Sequence, residues 1–139
     1  MQEKIKTNKL TDIFGEVIFS YTRKQAIKDG VLVDVSKMAC EAGIRYPVAV
    51  TQAIWTKYIV PSVSLKKQGQ SIKGRLWDLL YMFQGPARST PTNVMLFDLY
   101  FLMEDGENNT QNTRVTMKAV CGPGDAGEPV ITIMRRNED

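Results

Sequence analysis

Three polar residues in the first quarter of the chain could bind an anion or take part in acid–base chemistry. Tyr21 and Arg23 stand at the predicted start of a helix, where free backbone N–H groups and the helix dipole favour a phosphate or carboxylate ligand. Asp34 lies in the apolar strand that follows. These three are the candidate ligand-binding residues, although short helix starts usually bind nothing.

Asp34 alternates with the branched residues of its strand, so it shares a face with Leu32. If that face is buried, the carboxylate must be paired with an arginine such as Arg23 or Arg45. Three further carboxylates crowd the same block: Glu16, Asp29 and Glu41. A magnesium site is conceivable there, but capping and surface ion pairs are commoner roles for such charges. We therefore predict no metal.

The chain contains no histidine. This absence excludes Ser-His-Asp and Cys-His catalysis and removes the commonest zinc ligand. The two cysteines, Cys40 and Cys121, are too few for a thiolate zinc site, and we expect both to be buried free thiols rather than a disulfide. We predict no catalytic residue and no cofactor, and we favour a protein that is not an enzyme.

The segment from Gly122 to Glu128 is rich in glycine and could offer backbone N–H groups to a phosphate. It matches neither the P-loop nor the dinucleotide fingerprint, because no lysine–serine pair and no helix follow it. A tight hairpin connection that uses glycine for positive φ is the favoured interpretation.

The most basic stretch offers a possible contact with nucleic acid. Its candidate residues are Lys66, Lys67, Lys73 and Arg75. The net charge of only +3 is too small to predict nucleic-acid binding from the overall field. No aromatic residues are interleaved with these cations, so a solvated, flexible loop over residues 62–74 is the favoured interpretation.

Short helices and strands are predicted for the first part of the chain, after a polar lead-in over residues 1–10. Residues 13–21 suit a short strand. Thr22 and Gln25 form a capping box for a helix that ends at Gly30. The run Val31–Val35 is a strand, and Ser36 caps a second helix, Lys37–Ala42, which ends at Gly43.

The middle of the chain predicts a strand and two longer helices. Tyr46–Val50 is extended because of its proline, and Thr51 opens a helix that ends before Pro61. The segment Arg75–Gln84 has a helical stripe and should stop at Gly85-Pro86. The apolar stripe consists of Leu76, Leu79, Leu80 and Phe83. Five aromatic residues lie at helical spacing on the two helices: Trp55, Tyr58, Trp77, Tyr81 and Phe83. Most of this aromatic surface should be core, and any excess would mark a protein-binding patch.

Three strands joined by polar turns are predicted for the last third of the chain. They cover Asn93–Glu104, a strand centred on Val115–Cys121, and Pro129–Met134. Consecutive strands with short connections most simply form an antiparallel meander. The longest apolar run is broken by Asp98, so no membrane span is predicted. No apolar signal core follows the basic N-terminus, which indicates a cytoplasmic protein.

Several blocks of the sequence resemble a family of small proteins of unknown function from bacteria, plasmids and phages. The blocks are Phe14–Ile18, Ser20–Arg23, Gln25–Ile27, Asp29–Val35, Pro47–Thr51 with Trp55, Gly74–Asp78, Gly122–Asp125 and Gly127–Met134. The resemblance covers nearly the whole chain. It implies a small soluble protein of a mobile element, sometimes encoded near anti-restriction genes, and it implies no catalytic residues.

We predict a single α+β domain over residues 1–139, in which short N-terminal helices and strands pack on a C-terminal three-stranded antiparallel meander. The leading hypothesis is a non-catalytic module that binds a host protein, with counter-defence as the role that the resemblance implies. A nucleic-acid-binding accessory protein is the first alternative, and a small phosphate-binding or carboxylate-based enzyme is the second. The oligomeric state is left open.

Overall fold

A computed structural model describes residues 21–89, 92–106 and 109–138, with short helices in the first half and long strands in the second. The elements in chain order are α1 Arg23–Lys28, β1 Leu32–Asp34, α2 Ser36–Glu41, β2 Val48–Thr51, α3 Gln52–Ile54 with a π-helical turn Trp55–Ile59, α4 Val63–Lys67, α5 Ile72–Ser89, β3 Val94–Glu104, β4 Thr110–Pro123 and β5 Pro129–Arg135. The α+β class is therefore confirmed. The lead-in and almost all of the strand predicted for 13–21 lie outside the described residues.

The strands form one five-stranded mixed sheet in the order β1-β2-β5-β4-β3. The antiparallel meander β3-β4-β5 is confirmed. The prediction that the N-terminal strands pack on this meander is wrong. β1 and β2 are antiparallel to each other, and β2 runs parallel to β5, so both strands extend the same sheet. Val48, Ala49 and Val50 are completely buried, as expected of a central strand covered on both faces.

Both short helices at the start of the chain end as predicted, at glycines in the left-handed region. Gly30 has φ of 81° and Gly43 has φ of 93°. After each glycine the next residue donates its N–H back to the helix, from Val31 to Ala26 O at 3.0 Å and from Ile44 to Ala39 O at 2.9 Å. A side chain with a Cβ would be strained at either glycine.

The predicted cap at Ser36 is wrong. Ser36 is the first residue of α2, and the N-cap is Val35, which makes no side-chain capping bond. The Ser36 hydroxyl instead accepts the Val48 N–H at 3.0 Å and donates to Asp34 Oδ1 at 2.5 Å. The serine therefore ties β1 and α2 to β2, a long-range role that helix-capping rules do not anticipate.

Helix α5 is longer than predicted and passes through Gly85-Pro86 to Ser89. Proline removes a backbone donor and usually ends a helix. Here Phe83 is buried before the proline and Ala87 packs against the core after it, so tertiary contacts maintain the helix on both sides. The predicted stripe of leucines and Phe83 is confirmed as core.

The segment 62–74, predicted as a flexible basic loop, contains the helix α4 and the first residues of α5. Ser62 caps α4 by accepting the Leu65 N–H at 3.2 Å, and Leu65 is buried. One apolar side chain and one cap are sufficient to form the helix, although lysine, serine, glycine and glutamine make up most of the segment.

The core lies between one face of the sheet and the helices α2, α3 and α5. Aromatic rings join the layers: Phe83 of α5 meets Phe97 of β3 edge-on at 5.6 Å, and Tyr58 of the π-helical turn stacks on Phe101 at 5.5 Å. Such pairs contribute about 0.5–1.5 kcal/mol beyond the area they bury. They fix α5 and the π-helical turn above the long strand β3.

Arg75, predicted to contact nucleic acid, is buried, with 3% of its surface exposed. Its Nε donates to Tyr58 O at 2.6 Å, and Nη1 donates to Leu102 O at 2.9 Å and to Gln70 Oε1 at 3.0 Å. The guanidinium lies 4.9 Å from the centroid of the Phe101 ring. Burial lowers the pKa of Arg75, but a guanidinium stays charged in proteins. The prediction of a surface contact is therefore wrong, because the charge is enclosed by carbonyl groups and an aromatic face.

We predict that Arg75→Ala lowers the free energy of unfolding by about 3 kcal/mol, because it leaves buried carbonyl groups without a donor and opens a cavity. Arg75→Lys should recover about half of this loss, since an ammonium cannot reproduce the planar fork. Urea unfolding followed by tryptophan fluorescence measures both. Lys66→Ala, at an exposed site, should change the value by less than about 0.5 kcal/mol. Equal stability of Arg75→Ala and the wild type would contradict the structural role.

Candidate functional site

The three candidate ligand residues of the sequence lie in one region, where α1 meets β1 and β5. Arg23 opens α1, and its guanidinium crosses to β5. There Nη1 donates to Thr132 Oγ1 at 2.7 Å and Nη2 donates to Ile131 O at 2.8 Å. Tyr21 donates its hydroxyl to Asp29 Oδ2 at 3.2 Å. Both side chains are therefore engaged within the chain.

Asp34 is exposed, so the condition under which it would need an ion pair with Arg23 or Arg45 is not met. Its Oδ1 accepts the Ser36 N–H at 3.0 Å and the Ser36 hydroxyl. Burial lowers the pKa of Arg23, while the nearby charge of Asp34 opposes that shift. Asp34 therefore affects Arg23 by electrostatic attraction and not by a hydrogen bond.

The start of α1 already carries a carboxylate, supplied by Asp125 of the β4–β5 turn. Asp125 Oδ1 accepts the Arg23 N–H at 2.8 Å, and Oδ2 accepts the Lys24 N–H at 3.0 Å. Thr22 Oγ1 accepts the next free donor, the Gln25 N–H, at 3.0 Å, as the predicted cap requires. The anion that the helix start attracts is thus part of the protein itself.

The turn that carries Asp125 is a hairpin connection, in agreement with the favoured interpretation of the glycine-rich segment. Gly124 donates to Glu128 O at 2.6 Å and Gly127 has φ of 82°. The sequence does not single out Asp125, because its partners lie about a hundred positions earlier. We call the two hydrogen bonds from the start of α1 to the Asp125 carboxylate the clasp of Asp125.

The basic candidates are not brought together as a single surface. Lys66 and Lys67 are exposed on α4, and Lys73 is exposed in the first turn of α5, whereas Arg75 points into the core. The thiols also differ from expectation: both are free, but Cys40 is exposed and only Cys121 is partly buried. Cys40 follows the buried Ala39 on the short helix α2, so its side chain turns towards solvent.

Two clefts flank α5 on the side that faces α2 and the loop after it. The first, of about 700 Å³, is lined by Phe83, Gln84 and Ala87 of α5, by the loop 43–46 and by strand residues that include Cys121. The second, of about 610 Å³, is lined by Met38 and Glu41 of α2 and by the start of α5 as far as Asp78. None of Tyr21, Arg23 and Asp34 lines either cleft.

Most of the aromatic residues on the two helices are core, as predicted: Phe83 is buried, and Trp55 and Tyr58 pack against the core. Trp77 and Tyr81 of α5 are the excess, exposed by 39% and 60%. Trp77 lines the second cleft, and Gln84 lines the first. Positions 77, 81 and 84 share one side of a helix. Tyr81 therefore lies between the two clefts, and we call Trp77, Tyr81 and the cleft walls beside them the α5 aromatic face.

We predict that Asp125→Asn destabilises the protein at neutral pH, and that the difference from the wild type shrinks in acid. The bonds from the Arg23 and Lys24 N–H groups hold the pKa of Asp125 below its usual range. A lowered folded pKa means that the contribution is complete above the unfolded pKa of about 4 and is lost as pH falls through the folded value. Urea unfolding at a series of pH values measures the difference.

Asp105→Asn is the matched control, since it removes one negative charge from an exposed loop without touching a helix start. It should have the smaller effect at neutral pH. If Asp125→Asn were as stable as the wild type at neutral pH, the clasp would contribute nothing to stability.

Within residues 21–89, 92–106 and 109–138, no three acidic or thiol side chains are grouped so as to hold a metal ion. None of the helices in this part of the chain has the length and hydropathy that a bilayer span requires.

No curated protein and no solved structure matches the chain at a significant level. A family model described as a family of unknown function, DUF6573, matches residues 11–139. The chain, by this match over nearly its whole length, belongs to that family of unknown function.

Proposed function

We propose that this chain is a non-catalytic protein-binding module of a mobile element, which engages a host protein in the cytoplasm through the α5 aromatic face. The observation that carries the proposal is the exposure of Trp77 and Tyr81, one helical turn apart, between two clefts. The mobile-element origin and the cytoplasmic location come from the resemblance stated above.

The composition of the α5 aromatic face is that of a binding surface. Tryptophan and tyrosine are enriched at protein interfaces and dominate their hot spots, because a large rigid ring is buried at little entropic cost. Trp77 and Tyr81 are four residues apart, so their rings are neighbours on the helix surface and form a patch rather than scattered exposure.

The two clefts give the α5 aromatic face recesses into which side chains of a partner can fit. From Lys73, in the second cleft, to Ala87, in the first, α5 spans about 20 Å at the usual rise of a helix. Charged side chains stand at the rim of the second cleft: Glu41, Lys73 and Asp78. An apolar centre with a polar rim is the usual anatomy of a protein interface.

The intramolecular partners of Tyr21, Arg23 and Asp34 argue against the enzymatic alternative, since a ligand would have to displace hydrogen bonds that already exist. The burial of Arg75 weakens the nucleic-acid alternative, since it removes one of four proposed contacts. Neither alternative has an observation in its favour comparable with the two exposed rings on α5.

A site-specific crosslinking experiment tests the proposed function. A photoreactive benzophenone amino acid placed at Tyr81 in the native host should give one dominant protein adduct on illumination. Trp77→Ser in the same chain should reduce that adduct about tenfold or more, because a central tryptophan is a typical hot spot. The fold of each variant is checked by thermal unfolding.

The same photoreactive residue at Val63, which is 70% exposed on α4, is the matched control and should give no such adduct. An adduct that Trp77→Ser does not diminish, or the absence of a dominant adduct at Tyr81, would refute the proposal. Identification of the partner by mass spectrometry then permits a direct affinity measurement with purified proteins.

A further inference from the structure

Strand β3 forms one edge of the sheet, with β4 on one side and no strand on the other among the described residues. The register of β3 against β4 is uniform from Val94 to Glu104. Cys121 N–H donates to Asn93 O at 2.8 Å, so Asn93 and every second residue after it direct their backbone groups towards β4. The even-numbered residues of β3 therefore direct theirs towards the open edge.

Side chains close both ends of this open edge. The Thr92 hydroxyl donates to Val94 O at 3.1 Å and accepts the Val94 N–H at 3.4 Å. At the other end Arg75 Nη1 donates to Leu102 O at 2.9 Å. Between these points the outward N–H and C=O groups of Leu96, Asp98 and Tyr100 have no hydrogen-bond partner in the described chain.

The side chains of the same three residues form a row on the outer face of the sheet. Leu96 and Tyr100 are exposed by 49% and 63%, and Asp98 lies between them. Asp98 accepts hydrogen bonds from Thr116 Oγ1 at 2.5 Å and from the Arg114 guanidinium. Together these bonds lower the pKa of Asp98 and keep it anionic. The row therefore consists of an anionic side chain with a large, mostly apolar side chain on either side of it.

A second copy of this chain is a poor occupant for this edge. A two-fold antiparallel pairing centred on the open segment sets Asp98 opposite Asp98, and like charges directly opposite each other are destabilising. Other registers do not help, because the outward row of β3 contains no basic residue: it consists of Val94, Leu96, Asp98, Tyr100, Leu102 and Glu104. The charge pattern therefore favours a strand of different sequence, one that carries a basic residue.

We propose that the open segment from Leu96 to Tyr100 binds an extended segment of a partner protein by strand addition. The added strand places a lysine or arginine beside Asp98 and apolar residues beside Leu96 and Tyr100. Backbone hydrogen bonds to an edge provide affinity in this binding mode, and alternate side chains provide specificity. This surface is separate from the α5 aromatic face, so it goes beyond the proposed function and can fail independently of it.

A designed peptide tests the proposal directly. The probe is the fluorescently labelled peptide Thr-Val-Thr-Lys-Thr-Val-Thr with blocked ends, whose valines and lysine share one face in an extended conformation. It should bind the full chain in a polarisation titration. Its binding should slow hydrogen exchange at the amides of Leu96, Asp98 and Tyr100, and not elsewhere in the sheet.

Two controls separate strand addition from non-specific adhesion. N-methylation of the lysine and both valines removes the donors that face the edge and should weaken binding at least about tenfold, whereas methylation of the two central threonines should not. Leu96→Pro removes one outward N–H without breaking the β3–β4 ladder and should weaken binding similarly, while Leu96→Thr retains that N–H.

A charge exchange tests the position of Asp98. The Asp98→Lys variant should bind the lysine peptide about fivefold more weakly than the wild type does. The same variant should bind a peptide with glutamate in place of lysine about as well as the wild type binds the lysine peptide. Equal binding of both methylated peptides, no protection of the three amides, or no binding at all would overturn the proposal. Self-association of the wild-type chain that Leu96→Pro abolishes would also overturn it, since the occupant would then be a second copy.

Discussion

The guanidinium of Arg75 adds hydrogen bonds between the helical layer and β3, which the aromatic pairs already hold in contact. It donates to the Tyr58 carbonyl of the π-helical turn, to the side chain of Gln70 before α5, and to the backbone of β3. A buried cation is costly unless every donor is satisfied and the surrounding dipoles are fixed. The helical layer and the end of the long hairpin must therefore take one relative position. The exposed side of α5 then presents Trp77 and Tyr81, and the edge of β3 is closed at Leu102.

Local rules recovered the elements whose causes are local. The positive φ at Gly30 and Gly43, the cap at Thr22 and the leucine stripe of α5 all follow from a few neighbouring residues. The meander also follows, because its connections are short. The C-terminal end of α5 could not be predicted from neighbouring residues. Packing of Phe83 and Ala87 on the core outweighs the tendency of Pro86 to end a helix.

The features that decide the candidate sites depend on residues far apart in the sequence. Nothing near Arg75 distinguishes it from Lys73, because its burial is defined by carbonyl groups of Tyr58 and Leu102. Similarly, Asp125 looks like an ordinary turn residue until the start of α1 is placed against it. Periodicity placed Trp77 on a helix with an apolar stripe but could not tell which side of it α2 leaves uncovered. The family match assigns the chain to a family but supplies no reaction and no ligand.

The order of the strands also governs how the chain can fold during synthesis. Strand β2 is buried on both faces, yet its parallel neighbour β5 is made much later, since Val48 pairs with Ile131. Until β5 leaves the ribosome, β2 has an unpaired edge and α1 lacks the clasp of Asp125. Strand β2 must therefore wait for β5, and such non-local closure is slow. Until β5 arrives, the apolar edge of β2 is open to incorrect pairing.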